Sequence, residues 1–222
     1  MIRFFSTEIK KTVGFSILAL ATLTSLTARA DDISRILPLQ THAAFFSSET
    51  KQKTPLDPQV FVAAPTAPAA TGPQGIEHIA GVRNALISDM PELPIMNAMG
   101  KSLDMTLGAW LAAQGDVVLT NMPNGTQKIT LILTHLFPHG VYSVFENHFD
   151  QKPVGFTPLD GNGTANKFVS DGEGKANVTI ISPLPLTHDN AVLVIYHSDG
   201  KTHAKLRGDI GVDAHHQLIV RP

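Results

Sequence analysis

The sequence predicts an all-β fold, an antiparallel β-sandwich of about seven strands capped by one short helix. Two observations carry that expectation. From residue 116 onward, short apolar or alternating runs recur, and clusters of Gly, Asn, Asp and Pro separate them. The clearest case is residues 126–150, TQKITLILTHLFPHGVYSVFENHFD, in which Ile129, Leu131 and Leu133 alternate with Lys128, Thr130 and Thr134. A proline and a glycine in FPHG then signal a turn, and a second strand follows. That strand places Val141, Phe145 and Phe149 on one face and Tyr142 and Val144 on the other. The two runs read as a hairpin, too small to be stable without the rest of the chain.

The first thirty residues have the form of a secretory signal. Arg3, Lys10 and Lys11 precede the apolar run VGFSILALATLTSL, and Ala28-Arg29-Ala30 fits a cleavage site before Asp31. The run is ~14 residues, short of the ~20 of a spanning helix. After cleavage no membrane span is expected, and the protein is expected in the periplasm or outside the cell. The chain contains no cysteine. Disulfides, a lipid-anchored cysteine and thiolate metal sites are therefore excluded, and the core alone must hold the fold. Full-length net charge is −2; the signal segment carries +3, which leaves −5 on the remainder. A mildly acidic chain without a basic stripe has no electrostatic footprint for nucleic acid.

Residues 31–75 read as a disordered arm. Ile33, Ile36 and Leu37 suggest at most a helical turn, and Phe45-Phe46 could dock on the domain. Residues 61–75, FVAAPTAPAATGPQG, hold five alanines, three prolines and two glycines, the composition of a linker. The domain, 76–222, begins with an irregular lead-in; a helix is conceivable over 79–90, and Pro-Glu-Leu-Pro ends it. Residues 103–115 are the capping helix. Thr106 is its N-cap, Leu107, Trp110 and Leu111 share a face, and Gly115 stops it. Strands follow at 116–121, 126–134, 141–149, 167–170, 175–182, 191–197 and 216–220. AVLVIYH at 191–197 is apolar on both faces, so it is a central strand.

The blocks TLGAWLAAQG, LFPHGVYSVFE, DGNGTANKFVSDGEGKA and YHSDGKTHAKLRGDIGVDAHHQLIV together resemble a family of uncharacterised exported bacterial β-sandwich proteins, over residues 103–220. The resemblance implies one secreted β domain and no particular reaction. A more distant likeness is to copper/zinc superoxide dismutase. That family's copper site needs a His-x-His pair, and the equivalent run here, YSVFENH, has only His148. The activity is therefore not carried over.

Histidine is the enriched reactive type. His78, His135, His139, His148, His188, His197, His203, His215 and His216 all fall in the domain. Imidazole clusters bind zinc or copper. If Asp199-Gly200 were a two-residue turn, His197 and His203 would point to opposite faces; adjacent His215 and His216 must do so. The candidate metal set is accordingly one of His197 or His203, one of His215 or His216, and Asp209 or Asp213. His135, His139 and His148 bracket the FPHG turn as a second, weaker group. No Gly-x-Ser-x-Gly, His-Glu-x-x-His or cysteine nucleophile is present. The DGNG and DGEG turns lack the ligand series of a calcium loop. The expected role is a non-catalytic binding or cell-envelope module, with an envelope or extracellular ligand held by end loops at 137–140, 150–166 or 198–212. The alternative is a metal-binding or metal-dependent redox protein that uses the C-terminal histidines.

Overall fold

The structure, a computed structural model, describes residues 34–222 and is mostly β. The expected signal peptide lies outside the described residues. In chain order the elements are β1 (Arg35–Pro38), β2 (Gln40–Thr41), α1 (His42–Glu49), β3 (Leu56–Ala63), β4 (Ala70–Thr71), β5 (Glu77–His78), β6 (Val82–Leu86), β7 (Pro94–Met96) and β8 (Ser102–Thr106). Then follow α2 (Leu107–Leu111), β9 (Gln114–Asn121), β10 (Gln127–Thr134), β11 (Val141–His148), β12 (Gly155–Pro158), β13 (Lys167–Val169), β14 (Ala176–Ser182), β15 (Asn190–His197) and β16 (Ala214–Val220). All seven expected strands form, as β9, β10, β11, β13, β14, β15 and β16.

Two antiparallel sheets face each other. One runs β1-β9-β10-β14; the other runs β12-β11-β15-β16-β2, with β13 also on β11. Between them lies the main core. Val117, Leu119, Ile129, Leu131, Leu133 and Ile180 from the first sheet pack with Tyr142, Val144, Val192, Val194, Tyr196 and Leu218 from the second. The alternation in β10 holds: Ile129, Leu131 and Leu133 are buried while Lys128 and Ile132 are exposed. β15 is central, as its apolar faces require. Its inner side meets the main core, and Leu193 and Ile195 meet a second cluster with Phe145, Ile219 and Phe45 of α1.

The FPHG turn does not close a hairpin. β10 pairs with β9 and β14, and β11 pairs with β15, β12 and β13. The turn carries the chain from one sheet to the other. His135 and His139 take positive φ there, and Tyr142 Oη accepts the Phe137 N–H at 2.9 Å. Two strands with strong inward faces can pair side by side or stack face to face; the burial pattern alone does not choose.

The largest correction concerns the expected disordered arm. β1 extends the first sheet along β9, and β2 adds to β16. α1 is capped by Thr41 Oγ1, which accepts the Ala44 N–H, and buries Phe45 and Phe46. β3 is buried along nearly its whole length, between β6 and β7 in a third sheet ordered β6-β3-β7-β8. Even the Ala/Pro-rich part is structured, with β4 against β5. Composition does not report this order because the groups that satisfy the segment are distant in sequence. Trp110 Nε1 donates to Asp57 Oδ2 at 2.8 Å, and Gln59 Oε1 accepts the His216 N–H at 2.7 Å. The conceivable helix at 79–90 is instead strand β6.

The expected helix at 103–115 is shorter than predicted: α2 spans only Leu107–Leu111, because residues 102–106 pair as β8 and β9 begins at Gln114. Thr106 Oγ1 accepts the Ala109 N–H at 3.3 Å, and Leu107 and Trp110 are buried. Gly115 serves a different purpose from a helix stop. It lies in β9, where an added Cβ would stand 2.3 Å from the Ile132 carbonyl oxygen. Among the described residues no helix is long and apolar enough to cross a membrane.

Candidate functional site

The site is built where β15 ends. His197 is its last residue, and the ladder to β16 then opens instead of continuing as a tight hairpin. Ser198 N–H bonds to the Asp213 carbonyl at 2.8 Å, so residues 199–212 form one excursion that folds back on itself. Gly200 N–H bonds to the His197 carbonyl at 3.2 Å and starts the turn. Glycines fix the rest of the loop. Gly208 has φ +88°, and a Cβ there would meet Asp213 Oδ1 at 2.7 Å and His203 Cδ2 at 2.9 Å. A Cβ at Gly163, in the loop after β12, would stand 2.6 Å from the Ala204 carbonyl carbon, so glycine permits the close packing of the two loops.

This path brings His203 back over His197, with ring centroids 5.4 Å apart. His197, Asp199 and His203 each offer a ligand atom, and the three atoms lie within 4.8 Å of one another. His203 Nε2 stands 3.5 Å from Asp199 Oδ2 and 3.9 Å from Asp213 Oδ1. Ligand atoms on a tetrahedral ion with ~2.0 Å bonds stand roughly 3.3 Å apart, so small shifts would close the set.

Hydrogen bonding marks which nitrogens are available. His197 Nε2 is engaged with Ser143 Oγ at 2.7 Å, while buried His197 Nδ1 has no partner among the described residues. His203 Nε2 is likewise buried and without a hydrogen bond. Asp199 Oδ1 accepts the Lys201 N–H at 3.0 Å, which leaves Oδ2 toward His203. Burial, and then the neighbouring His203 charge, push the His197 pKa down to about 4 against the pull of Asp199. His197 is thus a neutral imidazole at pH 7, the form that donates a lone pair to a metal. Ser143 stands in the position of an outer partner that fixes the ring. On one side His203 and Asp213 line a cleft of about 450 Å³. On the other, His197 lines a smaller one of about 230 Å³.

The sequence-predicted set is therefore divided. His197 and His203 come together, contrary to the expectation that they face apart, because residues 198–203 do not continue the ladder. Asp213 sits at the edge of the cluster; Asp209 is not part of it. His215 and His216 do face opposite ways, and neither joins. His215 is wholly buried beside Trp110, with Nδ1 bonded to the Gln59 carbonyl at 3.1 Å and Nε2 to Ser198 Oγ at 3.2 Å. His216 lies on the far face with His42 and Arg207. Asp199 was missed because an Asp-Gly pair reads as turn chemistry; the spacing His-x-Asp-x-x-x-His was the available signal.

The other groups are accounted for locally. Asp160 accepts N–H bonds from Gly163, Thr164 and Ala165 of its own loop, which lower its pKa despite partial burial. Asp171 accepts those of Glu173 and Lys175 in the same manner. His148 bonds to Thr157 at 2.8 Å, away from His135 and His139.

No protein-family model, curated protein or solved structure matches this chain.

Proposed function

We propose that this protein is an exported binding module whose ligand is a divalent transition-metal ion, zinc or copper(II), held by His197, Asp199 and His203 with Asp213 beside them. One observation carries the reading: two buried imidazole nitrogens, His197 Nδ1 and His203 Nε2, lack hydrogen-bond partners, and these two residues and Asp199 offer ligand atoms within 4.8 Å of one another. Buried polar atoms without partners cost free energy, and a bound cation is one way to satisfy them. Two imidazoles and a carboxylate suit zinc and copper(II); calcium and magnesium prefer all-oxygen sets. Export follows from the sequence pattern of residues 1–30 and belongs to the same proposal.

The test is metal content and metal-dependent stability of protein purified without a histidine tag. Zinc or copper(II) should bind at one equivalent and raise the unfolding temperature, since binding favours the native state. The shift should shrink near pH ~5, where protons compete for imidazole. Exchanging His197 and His203 together for alanine should abolish it, and exchanging His135 and His139 should leave it intact. An equal shift in wild type and the His197/His203 variant would sink the proposal, as would no binding to wild type at all.

A further inference from the structure

A third cavity, of about 620 Å³, opens on the far face of the same sheet, between α1, the segment after β11 and the loop that carries Arg207. Its volume is that of a small-molecule site. Phe45 and Phe149, with ring centroids 5.8 Å apart, and Phe156 supply aromatic walls. Arg207 lies over Phe156 with Cζ 3.4 Å from the ring centroid. One of its N–H groups reaches His216 Nε2 at 3.2 Å. Among the described residues Arg207 forms no ion pair. A guanidinium has five N–H donors, and a half-buried one without a carboxylate is unusual.

The surroundings sharpen this. Because His216 Nε2 accepts from Arg207, its proton sits on Nδ1, which is buried and has no partner. Asn147 Oδ1 and His42 Nδ1, on the same wall, are also buried without partners. Burial lowers the Arg207 pKa to about 10, and burial with the Arg207 charge keeps His42 and His216 neutral. The acidic residue lining the cavity, Glu49, is directed to Arg221 at 3.9 Å and is half exposed. Arg221 itself lies over Phe149 at 4.6 Å. The cavity therefore has an apolar body and an uncompensated positive end.

We infer that this cavity binds a small carboxylate with an aromatic or compact apolar body, its carboxylate against the free N–H groups of Arg207 and its body among Phe45, Phe149 and Phe156. A guanidinium fork matches a carboxylate in two parallel hydrogen bonds, and aromatic walls recognise an apolar ring. Arg207 and Phe156 also border the cleft of His203 and Asp213, so the test keeps metal out with a chelator.

Phenylacetate is the probe, titrated by calorimetry against the mature chain in the presence of a metal chelator. It should bind with a Kd below about 10 mM, in line with the ligand efficiency of so small a molecule. Acetate, which lacks the body, and benzyl alcohol, which lacks the charge, should each bind at least tenfold more weakly. Arg207→Met should lose at least tenfold, and Arg207→Lys should fall between. In wild-type protein, the Arg207 Nε–H and Asn147 side-chain amide resonances should move on titration, which gives a readout if either variant fails to fold. Lys128→Ala, exposed on β10 and outside both sites, should bind phenylacetate as wild type does. Undetectable binding of phenylacetate, equal binding by Arg207→Met, or unmoved Arg207 and Asn147 resonances would overturn the inference.

Discussion

Trp110 donates its indole N–H to Asp57 Oδ2 at 2.8 Å in the buried centre of the protein. Asp57 Oδ1 also accepts the N–H groups of Gln59 and Val60, at 2.9 and 3.1 Å. The pair ties β3 to the helix that caps the sandwich. Trp110→Phe keeps most of the apolar volume but removes a donor from a buried carboxyl. It should cost about 1–3 kcal/mol. Asp57→Ala should cost more, because it strands three donors. Urea unfolding of both variants checks the order; a neutral Asp57→Ala would show that the network contributes no stability.

Acid should destabilise the protein, and the sign follows from which groups are buried. Burial lowers His42 to about 3, His197 to about 4 and His215 to about 4, and lowers His216 as well. Each is depressed below its unfolded value, so each contributes stability above pH ~6.5 that is lost as pH falls toward the folded value. Asp57 runs the other way. Burial raises it to about 6, so its contribution is present below its ordinary value and lost as pH rises through 6. Between these limits four histidines oppose two carboxyls, since burial also raises Glu146. Stability should fall on acidification, at about 1.4 kcal/mol per pH unit for each uncompensated proton. Urea midpoints at pH 7 and 5 check this, and a higher midpoint at pH 5 would contradict it. Asp57→Asn should steepen the acid loss by removing one of the opposing groups.

Leu131→Ala, on the inner face of the first sheet, and Ile195→Ala, on the outer face of the second, each delete a wholly buried side chain. Each should cost ~2–5 kcal/mol through lost burial and the cavity left behind. Lys128→Ala, on the exposed side of β10, should be close to neutral. Midpoints that do not separate Leu131→Ala from Lys128→Ala would overturn the strand phase.

Removing residues 31–75 should unfold the protein rather than free a stable core. The deletion takes away Val60, Phe61 and Val62, all buried, together with the Asp57 carboxyl and the α1 cover on Phe145 and Ile195. A chain beginning at Ile76 that keeps a cooperative thermal transition would show that this segment is dispensable.

Gly208→Ala tests the geometry of the metal proposal without altering a ligand. The added methyl would press on His203 and Asp213, at a backbone φ of +88° that favours glycine. Metal affinity, measured by competition with a chelator, should fall at least tenfold. A small drop in stability is also expected, ~1–2 kcal/mol. Unchanged affinity would mean that His203 and Asp213 do not depend on this approach.

The sequence by itself determined the all-β class, the seven strands from residue 116 onward, the phase of β10, the Thr106 cap and the central place of β15. These are local readings. Side-chain alternation reports which face is buried, and Gly, Pro and Asn report where backbone must turn. Only the tertiary structure decided that β10 and β11 stack instead of pairing, that residues 34–63 belong to the fold, and that Asp199 joins His197 and His203. Each depends on a partner remote in sequence or on the path of a long loop. Asp57 reads as a solvent-facing acid until Trp110 is placed beside it. His197 and His203 face apart in any ideal hairpin until Ser198 pairs with Asp213 and the chain folds His203 back.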